Sequence, residues 1–487
     1  MRKLLLMIVV SLAMMSLLVV ACGGDDPTPV PQDTDALRNL VQEAVASAVP
    51  AAQEGVSATD IQNAVERAVA AAASEGTSPE DLQAIIETAV SAATASGGEE
   101  LTASQVEAIV SAALADQPTV VPVTVSPFRI GVMESLTGPG ETYGQVAVQS
   151  KQLAVEEINR AGGINGRPLV LIIEDEKCNA RDSISAYTKL TQVDKVKIIL
   201  GTTCSGAMLG AAPLAEKDGV VMFSGLATNP DIADAGDYIF RTSMNDAQVG
   251  IDTGNKLWSD GIRKLATITE ATDYAEGVRR ESANRFIALG GEVVAEERYG
   301  SEEIDFRTAL TKIIGEDPDA IHIAAQAEFS GGTIQKQLRE LGYEGPIYGE
   351  IVVLGATALD IAGEGATGTI GIVAELDSTN PLAVNFLERF RARYAYTTLQ
   401  WYMGSAYDDV YIAAACLAQT GDDQDADGFR DCLYNMDSFS GTIGTYTFDD
   451  KGEVVGLSNV IAVVLPVADR TPENTGWSIL GPAPVLP

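Results

Sequence analysis

The chain has 487 residues, room for about three domains by length alone. Lys and Arg total 32 against 68 Asp and Glu, a formal charge of −36. Binding to nucleic acid or to anionic lipid needs basic patches, so this balance argues against both and suits a soluble protein outside the cytoplasm.

Met1-Arg2-Lys3 is a short basic start, followed by an apolar run from Leu4 to Val20 that closes on Ala21-Cys22. This is the pattern of a secretory signal over residues 1–21. It resembles a bacterial lipoprotein signal, in which Cys22 becomes the lipidated first residue of the mature chain. The alternative is a spanning anchor, for which the apolar run is short. Contact with a membrane is therefore expected through the lipid alone.

Residues 22–127 read as a stalk. The first aromatic residue of the whole chain is Phe128. Leu37, Ile61, Leu82 and Val106 begin four matching units, each with apolar residues three, four and eight positions later. That is the stripe of an amphipathic helix. Ser78-Pro79-Glu80-Asp81 and Thr102-Ala103-Ser104-Gln105 are helix starts. The units are short and the segment is Ala-rich, so the core they bury is thin, and a spacer of short helices is expected.

From Phe128 onward strand and helix alternate. Strand-like runs are Phe128 to Met133, Leu169 to Ile173, Val196 to Leu200 and Val220 to Phe223. Helical runs between them are Gln145 to Ala161, Ser183 to Val193 and Ala207 to Lys217. A second series runs from Gln248, with strands Leu265 to Thr269, Glu292 to Tyr299 and Ala320 to Ala325. Its helices are Tyr274 to Leu289, Phe306 to Ile314 and Thr333 to Leu341. This alternation predicts an α/β fold: two Rossmann-like lobes, each a parallel sheet covered by helices on both faces, with a hinged cleft between them.

Two strand ends stand out. The run ending at Leu200 is followed by Gly201-Thr202-Thr203-Cys204-Ser205, and the run ending at Phe223 by Ser224 to Thr228. Asn229 and Pro230 then read as an N-cap and first helical position. Hydroxyls and free N–H groups beside helix starts suit a small anion. Ser205 and Thr228 are the candidate carboxylate holders; on a purely structural reading they are only helix caps. Beyond Cys22 there are four cysteines, which allow three pairings. The near-neighbour choice, Cys178–Cys204 with Cys416–Cys432, is favoured. No C-x-x-C occurs, which argues against a zinc or thioredoxin-type site.

"FRIGVMESLTGPGETYGQ", "AVEEINRAGGINGRPLVLIIEDEKCNARDS", "GTTCSGA", "FSGLATNPDI", "YDDVYIAAACLAQTG" and "GTIGTYTFDDKGE" together resemble the branched-chain amino-acid binding proteins of ABC importers, which are type I periplasmic binding proteins. The resemblance covers residues 128–467. It implies two lobes, about 128–246 with 375–443 and about 247–374 with 444–467, leaving 468–487 as a C-terminal tail. It implies a small-molecule ligand, an ABC permease as partner and no cofactor. In the implied ligand set Ser205 and Thr228 hold the carboxylate through hydroxyls and backbone N–H groups. The Leu226 carbonyl and Thr228 hydroxyl receive the ammonium, with Ala227 between them. Tyr143 and Tyr274 cover the ligand from the two lobes, and Glu350 is the acidic partner of the ammonium. Cys178 and Cys204 match the family's disulfide.

The chain departs from the pattern at Gln326, where the branched-chain binders place an aromatic residue. Phe329 is a candidate replacement ring; otherwise Gln326 offers an amide to a polar-tailed ligand. His322 is the single histidine and lies in a predicted buried strand, so a Ser–His or Cys–His catalytic unit has no base. The run Asp423 to Gly428 imitates the start of a calcium loop, but Tyr434 stands where the glutamate belongs. Trp258 and Trp401 read as packing residues. The expectation is a lipid-anchored solute-binding protein, not an enzyme, without a metal, taking an amino acid or related small carboxylate or amide. A ligand-sensing protein of the same fold is the alternative, and a surface protein whose stalk carries the function is a third reading.

Overall fold

The computed structural model describes residues 126–394, 400–471 and 475–487. The signal sequence, Cys22 and the four helical units lie outside the described residues.

The first series runs β1 (Phe128–Glu134), α1 (Glu141–Arg160), β2 (Leu169–Asp175), α2 (Ala180–Thr188), β3 (Ile198–Gly201), α3 (Ser205–Asp218), β4 (Val221–Ser224) and β5 (Ile239–Arg241). These strands form one parallel sheet in the order β2-β1-β3-β4-β5. Every residue of β3 and β4 is buried. That is why "IILG" and "VMFS" read as continuous apolar runs: a strand covered by helices on both faces has no polar side.

The second series runs α4 (Asp246–Ser259), β6 (Lys264–Glu270), α5 (Asp273–Ala288), β7 (Glu292–Tyr299), α6 (Arg307–Gly315), β8 (Ala320–Ala324), α7 (Glu328–Glu340), β9 (Ile347–Glu350), α8 (Ala356–Ala362) and β10 (Ile370–Val373). The chain then adds α9 (Pro381–Arg393), α10 (Gln400–Thr420), which packs on α1, and α11 (Ala426–Tyr434). A small antiparallel sheet follows, of β11 (Phe439–Gly441), β12 (Gly444–Phe448) and β13 (Val454–Val455). Last come β14 (Val460–Val464) and β15 (Trp477–Pro482). The second large sheet has the order β15-β14-β10-β9-β8-β6-β7. Its β6 to β10 are parallel, and β14 and β15 are antiparallel additions.

Two expected boundaries need correction. Residues 468–487 are not a free tail: β15 pairs with β14 from Val464↔Trp477 to Val460↔Pro482. Arg285 Nη2 also donates to the carbonyls of Leu486 (2.8 Å) and Pro487 (3.0 Å). The chain also does not return to the second sheet at residue 444. Phe448 sits edge-on against Phe223 and Phe240 of the first sheet, and the Arg241 N–H donates to the Gly452 carbonyl (3.1 Å). The return comes only with β14. The glycine-rich hairpins at Gly444 and Gly452 fold this stretch back, and its aromatic residues bury against the first lobe.

Disulfides join Cys178 to Cys204 and Cys416 to Cys432, with Cα–Cα distances of 5.0 and 5.7 Å. The first ties the end of the β2 loop to the start of α3. The second staples α10 to α11.

Candidate functional site

β1 has β2 on one side and β3 on the other. Chains leaving the C-terminal ends of β1 and β3 therefore part in opposite directions and open a crevice. Gly140, just before α1, and Tyr143, in its first turn, come from the β1 end. Thr203 and Ser205 come from the β3 end. Gly201 lets these ends approach: its φ is +131°, and a Cβ there would stand 2.0 Å from the Met133 carbonyl oxygen. The second lobe repeats the device, with β6 between β7 and β8. Tyr274 lies in the first turn of α5 after β6, Gln326 just past β8, and Glu350 at the end of β9.

These residues converge. Tyr143, Ser205, Leu226, Thr228, Tyr274 and Gln326 line one cavity of about 30 Å³, together with Gly140, Thr203, Val352 and Tyr402. A second cavity of about 30 Å³ adjoins it, sharing Thr228, Tyr274 and Tyr402, and is lined by Glu350, Asp246, Asn459 and Trp401 among others. Each has room for about two waters, so the lobes are drawn together around their polar groups. The Asn229 side-chain amide reaches the Asp273 carbonyl (2.5 Å), and Arg280 Nη2 reaches Asp231 (2.7 Å), both across the lobes.

Ser205 Oγ accepts the N–H groups of Thr228 (3.2 Å) and Asn229 (3.1 Å). The Thr228 N–H, expected to face a ligand, is thus engaged inside the first lobe, while the Ser205 hydroxyl keeps its proton for an acceptor. Ala227 lines neither cavity. Its N–H donates to Ser224 Oγ (3.0 Å) and its carbonyl accepts from Ser243 Oγ (2.5 Å), so its main chain builds the turn. Phe329 is no replacement ring: α7 begins five residues before the expected Thr333 and turns Phe329 outward, 49% exposed. The same early start puts Glu328 beside the cleft, where its charge adds to burial in holding the Tyr143 hydroxyl well above the ordinary tyrosine pKa.

The other end is acidic. Burial pushes Asp246 up to about 7; Glu350 adds to this, while the Thr228 hydroxyl beside it and Arg241 oppose. His322 Nε2 lies 2.8 Å from Glu350 Oε1, so the one histidine steadies this carboxylate from behind. Gln326 donates its N–H to Glu270 Oε2 (2.9 Å), which leaves its side chain to the cavity.

Sequence reasoning missed Asp246, Asn459, Tyr402 and Trp401, the last having been read as packing. Asp246 and Asn459 stand on segments where the chain passes between the two sheets, and no strand-end pattern flags them. Of the acidic run, Asp423 accepts the Arg129 N–H (2.6 Å) and Asp425 caps α11 at the Gly428 N–H (2.9 Å). Among the described residues no three His, Cys, Asp or Glu side chains are grouped to hold a metal.

The model of a family described as periplasmic binding protein matches residues 127–463. The chain belongs to this family. It is similar to the Leu/Ile/Val-binding protein homolog 3 of Brucella melitensis, 26% identical over 67% of this chain and 88% of that one. The leucine-, isoleucine-, valine-, threonine- and alanine-binding protein of Pseudomonas aeruginosa is 24% identical over 67% and 87%. In structure it resembles the branched-chain amino acid transporter substrate-binding protein LivJ of Streptococcus pneumoniae in complex with isoleucine. The TM-score is 0.65 and the identity 27%, over 73% of this chain and 100% of that one. The fold also matches a solute-binding protein of R. palustris in complex with benzoate, with TM-score 0.66 and 20% identity over 74% and 96%. These relatives are binding proteins by name, and the Streptococcus pneumoniae match is the substrate-binding protein of a branched-chain amino acid transporter. Family members work outside the cytoplasm, and no described helix is long and apolar enough to cross a membrane.

Proposed function

We propose that this periplasmic binding protein captures an amino acid, or a related small carboxylate or amide, and delivers it to an ABC permease. One observation carries the reading: the polarity of the paired cavities. The Ser205 hydroxyl at the start of α3 stands at one end, and Asp246 and Glu350 stand at the other. A zwitterion of amino-acid size presents a carboxylate to the first and an ammonium to the second. Because the groups come from both lobes, only the closed form completes the set, and ligand and closure favour one another. Gln326, in place of a ring, gives the side-chain end of the cavity an amide and favours a ligand with a polar tail.

The mature chain, refolded to remove carried-over ligand, is scanned by thermal shift against the twenty L-amino acids, short amides and small carboxylates. A ligand at a hundred times its Kd stabilises by about 2.7 kcal/mol, a rise of a few degrees. A panel with no hit removes the amino-acid reading and leaves the fold. We further propose that Cys22 carries a lipid anchor and that residues 22–127 space the binding domain from it. Cys22→Ser releases the protein from membranes if so; retention would point to an uncleaved anchor.

A further inference from the structure

We propose that a large cavity behind the cleft, where the chain crosses from β10 to α9, is a second small-molecule site that takes an amphipathic amine. The site goes beyond the transport role proposed above and does not depend on it.

The cavity measures about 490 Å³. That is the size of a ligand pocket, against about 30 Å³ for each cavity of the cleft. Three parts of the fold build it. Trp477 and Ile479 come from β15 of the second sheet, and Leu387 and Trp401 from α9 and α10 on the first-lobe side. Ala374 to Ser378, the segment leaving β10, closes it between them. Ile351, Ala374, Trp401 and Tyr402 form the wall it shares with the acidic end of the cleft.

The lining specifies the occupant. Trp401 and Trp477, each 6% exposed, offer two indoles among aliphatic side chains. The Trp477 N–H is buried without an acceptor, and such donors are rare and costly. Among the described lining residues the carboxylates of Glu375, Asp377 and Glu388 stand against one cation, Arg391. Asp377 Oδ1 is engaged by the Thr379 N–H (2.8 Å) and hydroxyl (2.6 Å). The Glu375 and Glu388 carboxylates meet no donor among the described residues. Partial burial holds Glu375 above its ordinary pKa, and no cation draws it back down.

An ammonium supplies donors to these two acids and is attracted to the faces of the indoles. An apolar body of one or two rings fills the space between the tryptophans, and one acceptor on it answers the Trp477 N–H. A carboxylate of the same shape meets an excess of negative charge, which separates this site from the Ser205 end of the cleft.

The test uses refolded mature protein and calorimetric titration. The probes are 5-hydroxytryptamine, which has an ammonium, two rings and a hydroxyl oxygen, and 3-ethyl-5-hydroxyindole, which lacks only the ammonium. The amine is expected to bind once per chain and the neutral indole at least 10-fold more weakly. Glu375→Gln combined with Glu388→Gln costs the amine at least 10-fold and the neutral indole less than two-fold. Val384→Trp, at a lining position 39% exposed on α9, fills the cavity and abolishes binding of both probes. All three substitutions are at exposed positions, so the variants fold. An amine that fails to bind the wild type at millimolar concentration overturns the inference, as does binding of the two probes within two-fold. So does amine binding that survives Val384→Trp and is lost in Glu350→Gln, which places the amine in the cleft. A wild type that binds the amine with the expected losses but binds no amino acid upholds this site and overturns only the function proposed for the cleft.

Discussion

Ser205→Ala separates holding a turn from holding a ligand. Ser205 is 2% exposed, and its Oγ accepts two buried main-chain N–H groups, from Thr228 at 3.2 Å and Asn229 at 3.1 Å. Removing the oxygen leaves two buried donors unpaired, each costing about 1–3 kcal/mol. The adjoining cavity holds water-sized space, and one water there recovers part of the loss. The expected destabilisation is therefore at the low end, about 2 kcal/mol for the unliganded protein. Urea unfolding of unliganded wild type and variant measures it, with m unchanged and the midpoint lowered. Affinity, measured by titration on the folded variant, falls separately, because a ligand carboxylate loses the hydroxyl proton. A variant within about 0.5 kcal/mol of wild type, the usual range of a surface change, would refute the reasoning. The serine would then not be what holds the Leu226–Asn229 turn.

Three further outcomes are expected. Replacing Cys416 and Cys432 by alanine opens a closed loop with a sequence separation of 16 residues and costs about 3 kcal/mol, seen as a lower urea midpoint; an unchanged midpoint would count against the staple. A stop after residue 475 removes β15 and the buried Trp477, exposes the β14 edge and strips Arg285 of two carbonyl partners, so the shortened chain should be insoluble or melt far below wild type, and equal melting would restore the tail reading. Burial raises Glu176 to about 8, Asp246 and Asp409 to about 7 and Asp408 to about 6. Each binds its proton more tightly folded than unfolded, so its contribution is full below the unfolded pKa and lost as pH rises through the folded one. The slope is about −1.4 kcal/mol per pH unit for each group in that window. The unliganded protein should melt highest near pH 5 and fall toward pH 8, and a melting temperature that is flat or rising over that range would show these carboxyls to be ionised in the fold.

What could be read from the sequence was what strand ends dictate. "IILG" and "VMF" read as apolar runs because both faces are covered, and the small hydroxylated residues after them read either as a crevice lining or as helix caps. Ser205 and Thr228 were legible from such ends, whereas Tyr274, Gln326 and Glu350, which also follow strands, came only through the family resemblance. Asp246 and Glu350 are 104 positions apart, and nothing local reveals that Asp246 is buried beside the same cavity. β15 was missed for a different reason. "WSILGP" carries a glycine and a proline, Leu480 is 58% exposed, and an antiparallel edge strand with one open face has too weak a pattern to separate from a linker. Phe329 misled because its ring looked like a replacement, while the five-residue difference in the start of α7 decides which way it faces.

Beneath the crevice lies a charged group with no ligand to meet. Lys151, fully buried, lies 2.6 Å from Glu134 Oε1 and 3.8 Å from Asp409 Oδ2. Glu134 Oε2 accepts from the Thr203 hydroxyl (2.6 Å), whose oxygen accepts the Ser135 N–H (2.9 Å). Asp409 Oδ1 accepts from the Thr242 hydroxyl (2.6 Å), just past β5 where the chain leaves the first sheet. A buried ion pair is seldom more stable than apolar side chains of the same volume, so stability alone does not account for it. Apolar groups would fill the space between β1, α1 and α10 but could not orient two hydroxyls. With the charges in place, Thr203 is fixed at the crevice and Thr242 at the start of the segment that leads to Asp246. The same interior group thus sets both ends of the path between the Ser205 pocket and the acidic pocket, and its orienting role is the reason to keep charge where burial disfavours it.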